Sequence, residues 1–199
     1  DVRMPLCDGI ELCNKLKTDE RTSHIPIILL TAGVGEDHEL LGLQSGADDF
    51  ITKPFKLKIL QARVDNLIGN RKMLRTRYSH ELILEAKDIA LTPTDEMFLN
   101  KLQSVLDDNL ADPHFNAVAF CEKLAMSRMQ LHRKLLAYTG LSTTAFIRSQ
   151  RLKQAVHILR TSDASISEIA YAVGFNTPSY FIKCFKETYK KTPTEYQDT

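Results

Sequence analysis

Ser165-Ile166-Ser167-Glu168-Ile169-Ala170-Tyr171-Ala172-Val173-Gly174-Phe175-Asn176-Thr177-Pro178-Ser179-Tyr180-Phe181-Ile182-Lys183-Cys184-Phe185 decides the fold of the C-terminal half. Ser165 and Glu168 stand at capping-box spacing ahead of an apolar run, which starts a helix. Ile169, Ala170 and Val173 recur on one helical face. Gly174 falls where the chain must turn sharply, and glycine enters the left-handed region without steric penalty. Thr177-Pro178 is an N-cap followed by a proline at the first helical position. Phe181 and Phe185 then lie one turn apart on the inward side. Two short helices joined by a tight turn make a helix–turn–helix.

The same pattern occurs earlier. Phe120, Cys121 and Leu124, a turn, then Leu131 and Leu135 repeat it, displaced by 49 residues before the turn and 50 after it. Between the units, Phe146, Leu152, Val156 and Leu159 predict one long connecting helix. Upstream, Thr92-Pro93-Thr94-Asp95 has the composition of a helix start, with Asp95 near the positive end of the dipole. Leu99, Leu102, Val105 and Leu106 form the inward face of that helix, which is expected to end near Asp112-Pro113. No strand pattern follows Thr92. This half is expected to be all-α.

The outward faces can be placed at about 100° per residue. With Leu131 and Leu135 inward, Met129, His132, Arg133 and Leu136 share the opposite arc. With Phe181 and Phe185 inward, Ser179, Ile182, Lys183 and Lys186 share it in the second unit. Arg133 and Lys183 are equivalent positions. Such a face fits a DNA major groove, where Arg reads guanine edges. Charge agrees. Residues 123–191 carry 12 Lys/Arg and three acids, while 93–122 carry one base and six acids. A chain of net charge +1 thus conceals a basic lobe, the footprint of a phosphate-binding surface.

Residues 1–69 alternate helix and strand instead. Ile10, Leu12, Cys13 and Leu16 recur at helical spacing. Ile25 to Leu30 is a continuous apolar run, expected to be a strand buried on both faces. A helix is predicted over Asp37 to Gln44, closing at Gly46 with a left-handed cap. Phe50-Ile51 is a second strand, and Leu57, Leu60, Val64, Leu67 and Ile68 give another amphipathic helix. The alternation argues for a parallel α/β sheet. Two strands are too few for a sheet covered on both faces, so this half is read as incomplete. Residues 70–92, with Arg71, Lys72, Arg75 and Arg77, read as a helix extension and linker.

The 199 residues are 43% hydrophobic and 26% charged, which excludes a disordered tail. No apolar stretch is long enough to span a membrane. Cys7, Cys13, Cys121 and Cys184 have neither disulfide-framework nor metal-ligand spacing and are expected to be buried thiols of a reducing compartment. A cytoplasmic location is expected. His114, His132 and His157 do not pair with carboxylates at ligand spacing, and only His132 lies on a groove-facing arc. Gly33-Val34-Gly35 lacks the third glycine of a nucleotide fingerprint and reads as a loop. Tyr180, Phe181, Phe185 and Tyr189 are expected in the core. No nucleophile and base pair can be argued from order alone, so no enzyme is expected.

Residues 93–199 resemble the AraC-type DNA-binding domain. The resemblance is carried by Leu124-Ala125-Met126-Ser127-Arg128, Tyr138-Thr139-Gly140, Phe146-Ile147-Arg148, Ile169 to Phe175, Ser179 to Lys186, and Thr192-Pro193-Thr194-Glu195-Tyr196. It implies two helix–turn–helix units, about 115–138 and 165–189, whose recognition helices enter successive major grooves of double-stranded DNA. The residues it implies at the DNA are Arg128, Met129, His132, Arg133, Ser179, Ile182, Lys183 and Lys186. Met129 and Ile182 are apolar, so there the contacts are to thymine methyls or are absent.

Residues 1–69 resemble the second half of a response-regulator receiver domain. Asp1-Val2-Arg3-Met4-Pro5 with Asp8-Gly9, Leu30-Thr31-Ala32, and Gly46 to Phe50 through Lys53-Pro54-Phe55 carry the match. The resemblance implies Asp1 as phosphoacceptor, Thr31 as the phosphoryl-binding hydroxyl, Lys53 as the phosphate-pairing cation before a cis proline, and Phe50 as the switch aromatic. A carboxylate nucleophile needs such a cation and hydroxyl to hold the developing charge. The family completes its Mg²⁺ site with an acidic pair on the first strand. No residue precedes Asp1 here, so the chain is expected to be a C-terminal fragment that binds no cofactor. Asp1 would be a Mg²⁺ ligand only in a complete receiver, and phosphoryl transfer is expected to fail in the fragment.

The combination resembles the output end of a hybrid two-component regulator, which implies an upstream histidine kinase domain and control of nutrient or glycan utilisation genes. A homodimer is a further expected partner state. The competing reading is a protein-interaction or dimerisation module, with the truncated sheet pairing between chains and no sequence-specific DNA binding.

Overall fold

The computed structural model describes residues 1–32, 46–80 and 92–197, with side chains of 74–80 excepted. The helix expected over Asp37–Gln44, the Gly33-Val34-Gly35 loop and the centre of the linker lie outside the described residues. The chain divides into two compact units. One comprises Asp1–Asn100 with Ala137–Gly140, the other Lys101–Leu136 with Leu141–Thr199.

The first unit opens with α1 (Gly9–Thr18), which starts where the Asp8 side chain accepts the Glu11 N–H at 2.7 Å. Strands β1 (Ile28–Thr31) and β2 (Asp49–Thr52) pair in parallel, Leu29 against Phe50 and Leu30 against Ile51. The strand begins three residues later than the apolar run suggests and is buried on alternate residues rather than on both faces. Ile25 is exposed. Among the described residues β1 pairs with β2 alone, and its side chains alternate between buried and half-buried. Lys17 and Asp48 brace the sheet from inside. The buried Lys17 Nζ lies 2.5 Å from Asp48 Oδ2 and donates to the Ile25 carbonyl, and the same carboxylate accepts the Ile27 N–H at 2.8 Å. Gly46 takes the left-handed φ its position suggested.

The helix α2 spans Leu57–His80, so the segment read as helix extension continues at least to His80. The next helix, α3 (Pro93–Asn109), starts as expected, with the Thr92 hydroxyl accepting the Asp95 N–H at 3.1 Å. Asp95 is fully buried and accepts the Ser23 hydroxyl at 2.6 Å within the first unit.

The second unit is helical. It holds α4 (Ala117–Leu124), α5 (Arg128–Thr139, to Leu136), α6 (Thr143–Thr161), α7 (Ile166–Ala172), α8 (Pro178–Tyr189) and α9 (Pro193–Gln197). The long connecting helix is α6. Its buried Leu152, Ala155, Val156 and Leu159 form one core with Ile169, Ala170, Val173, Phe181 and Phe185. Phe120 stacks parallel on Phe146 at 6.5 Å. Phe181 meets Phe185 and Phe175 edge to face. Such aromatic pairs add specific geometry to area burial. The short α9 packs its Tyr196 on Phe185 and Tyr189, which fastens α9 to α8.

Candidate nucleic-acid interface and phosphoryl site

The two helix–turn–helix units fold by the same local bonds. In the first, the Ala125 N–H donates to Glu122 and the Met126 N–H to Cys121. In the second, the Gly174 N–H donates to Tyr171 and the Phe175 N–H to Ala170. These are the same partners, 49 residues on. Ala125 and Gly174 both have positive φ, 54° and 85°. Only the second position demands glycine. A Cβ on Gly174 would lie 2.4 Å from the Leu110 carbonyl oxygen and 2.9 Å from Arg151 Nε. At Ala125 the side chain is exposed.

Caps then fix where each recognition helix begins. Thr177 accepts the Tyr180 N–H ahead of Pro178. For α5, Ser127 and Gln130 bond reciprocally, the Ser127 N–H to the Gln130 side chain at 3.0 Å and the Gln130 N–H to the Ser127 hydroxyl at 3.3 Å. The Ser-x-x-Gln spacing carried that signal, as Thr192-x-x-Glu195 did for α9. The Ser165–Glu168 capping box of α7 is complete, and it holds the Glu168 carboxyl below its ordinary value.

The inward residues Leu131, Leu135, Phe181 and Phe185 are fully buried. The outward set is exposed: Arg128, Met129, His132 and Arg133 on α5, and Ser179, Ile182, Lys183 and Lys186 on α8. Met129 is 61% exposed, and its Sδ lies 3.1 Å from an Arg133 guanidinium nitrogen, so the two side chains lie together on the outer face.

Not every basic residue of the lobe faces out. Lys134 is fully buried, at the position equivalent to Cys184. Burial lowers the Lys153 ammonium's pKa. Arg151 turns inward and donates to the carbonyls of Leu110 (3.1 Å), Asp112 (2.7 Å) and Phe115 (3.1 Å), fixing the segment that leads into α4. Charge counting along the sequence does not separate these structural cations from surface ones. Tyr180 corrects the expectation of a core aromatic: it is 51% exposed, while Phe181 beside it is buried. One residue is about 100° on a helix, enough to carry a ring from core to flank. Tyr189, the last residue of α8, is half-buried, and its hydroxyl is pushed up to about 12 by burial.

In the first unit, Asp1 and Lys53 form an ion pair, with both side chains partly exposed. Backbone bonds bring them together. The Val2 N–H donates to Leu30 at 2.8 Å, the Gly9 N–H to Val2 at 2.7 Å, and the Lys53 N–H to Thr31 at 2.6 Å. A Cβ on Gly9 would lie 1.9 Å from the Asp1 carbonyl oxygen, so this turn closes only on glycine. Thr31 ends β1, Lys53 follows β2, and Asp1 sits beside them at the C-terminal end of the parallel pair, where open α/β sheets bind ligands. Phe50 is half-buried in β2, and Lys53-Pro54 is cis. Among the described residues no three His, Cys, Asp or Glu side chains group around a metal position. Cys13, Cys121 and Cys184 are buried, whereas Cys7 is only partly so. Among the described residues no helix is long and apolar enough to cross a membrane.

Two family models match separate parts of the chain. Residues 1–65 match the response regulator receiver domain model, and residues 120–199 match a helix-turn-helix domain model. The whole chain is 40% identical to histidine kinase P4 of Formosa agariphila, of which it spans 14%. Over 67 residues, 34% of this chain, it is 51% identical to 15% of response regulator PleD of Caulobacter vibrioides. Among solved structures, the C-terminal domain of the two-component response regulator yesN from Fusobacterium nucleatum matches 48% of the chain and 93% of its own length at 29% identity, with TM-score 0.45. Residues 1–65 are thus similar to a response regulator receiver domain, and residues 120–199 to a helix-turn-helix domain.

Proposed function

We propose that this chain is the output end of a two-component phosphorelay protein and binds double-stranded DNA sequence-specifically through both helix–turn–helix units. The observation that carries the reading is the pair of exposed outward faces on α5 and α8, with Arg133 and Lys183 at equivalent positions of a folded repeat. Arg133 presents a guanidinium suited to guanine O6 and N7, with Met129 beside it on the helix. Ser179 and Lys183 form the second reading edge, and Ile182 offers an apolar surface to a thymine methyl. Arg128 and Lys186 flank these edges as phosphate contacts.

In the longer protein an upstream histidine kinase domain supplies the phosphoryl group, Asp1 accepts it, and Thr31 and Lys53 hold its oxygens. The genes controlled are nutrient or glycan utilisation genes. DNA-binding titrations of Arg133→Ala and Lys183→Ala test the reading. Each is expected to cost about 1–3 kcal/mol and to relax preference in one half of the site. Equal losses on every sequence would make both residues phosphate contacts and remove the base-reading assignment.

A further inference from the structure

A groove of about 340 Å³ opens between the two helix–turn–helix units. Its walls come from three places: the start of α4, the first half of α6, and the turn and first residues of α8. Two guanidiniums, those of Arg148 and Arg151, line it, and no carboxylate does. Arg151 is committed to three backbone carbonyls. Arg148 is partly exposed, and Tyr180 beside it in the lining favours its charged form. The two residues come to the groove from different elements, the connecting helix and the second recognition helix. On α8, Tyr180 falls about 60° round from Lys183, on the flank bordering the base-facing arc. The remaining wall is largely apolar, from Val118, Ile147 and Phe175.

We propose that this groove seats the sugar–phosphate backbone of the duplex where it passes from one recognition helix to the other, with Arg148 as its phosphate contact and Tyr180 as the residue that positions Arg148. The inference rests on the DNA-binding reading above. A strand running between two helices in successive major grooves must cross the space between their units, and this groove is walled by the start of α4 from the first unit and the start of α8 from the second. The mixed lining suits the strand's chemistry, because deoxyribose offers C–H faces to apolar walls while phosphate takes the guanidinium. The contact carries no sequence information. It fixes the spacing and orientation of the two reading edges.

The test uses the whole 199-residue chain, a duplex selected for binding and a scrambled duplex of equal length, each titrated across a salt series. Arg148→Gln is expected to weaken both duplexes by the same factor and to flatten the dependence of log K on log salt by about one. Tyr180→Phe is expected to weaken both when made alone and to add no further loss in the Arg148→Gln background. Phosphate-ethylation interference with the unaltered chain gives a readout independent of variant folding, and interference is expected at phosphates between the two submotifs.

An unchanged salt slope in Arg148→Gln, or interference confined to the submotifs, overturns the assignment. A loss on the selected duplex alone overturns it too, by making Arg148 a base reader. If the unaltered chain binds neither duplex in a salt-sensitive way, the DNA-binding reading itself fails, and this inference with it.

Discussion

At Gly174 two constraints meet that the equivalent Ala125 does not share. Both residues have positive φ, yet only Gly174 faces a backbone carbonyl that a Cβ would overlap. Gly174→Ala is therefore expected to cost about 2–5 kcal/mol, the left-handed penalty plus forced displacement of the Leu110 and Arg151 groups. Ala125→Gly is expected to change stability by less than about 1 kcal/mol, because relief of the left-handed strain offsets the added freedom of the unfolded chain. Chemical denaturation of the two variants checks the contrast. Tyr189 gives a pH prediction. Its folded-state value of about 12 lies above that of a free tyrosine near 10. The stabilisation is thus complete below about pH 10 and is lost as pH rises through about 12. Tyrosinate absorbance followed against pH, with Tyr189→Phe as reference, should show one group titrating in that window.

Elements were legible in the sequence wherever a side chain announces its own backbone role. The N-caps at Thr92, Ser165 and Thr177 and the turn glycines carry their chemistry in residue type alone, and the structure uses each as expected. What sequence could not supply depends on neighbours far along the chain. Lys134, Arg148 and Arg151 look alike in a charge count, but one is buried, one borders the groove and one is bonded to three carbonyls. Tyr180 was misplaced because an aromatic next to two core phenylalanines reads as core until the helix phase is applied residue by residue. The late start of β1 has the same origin, since an apolar run does not reveal which of its residues find a hydrogen-bonding strand beside them. At α7, Ser165→Ala is expected to cost about 1 kcal/mol at neutral pH. Glu168 is held below its ordinary value by Ser165, so the cap persists above the unfolded carboxylate value and is lost as pH falls through the lowered one. The gap between the melting temperatures of the variant and the unaltered protein should narrow under acid.

At the scale of the whole chain, each half holds one candidate site. Asp1, Thr31 and Lys53 converge at the C-terminal end of a parallel strand pair, and Arg133 and Lys183 recur on the outer faces of a folded repeat. The repeat is what gives the account its geometric content. Two helix–turn–helix units bridged by the single helix α6, with its buried stripe Leu152, Ala155, Val156 and Leu159, present two edges rather than one. The spacing of those edges should be written into the DNA. Selection of bound duplexes from a random pool, using the 199-residue chain, tests this most directly. The account predicts two enriched submotifs with centres roughly 10 bp apart, one for each recognition helix. No enrichment, or no salt-sensitive binding at all, would contradict it.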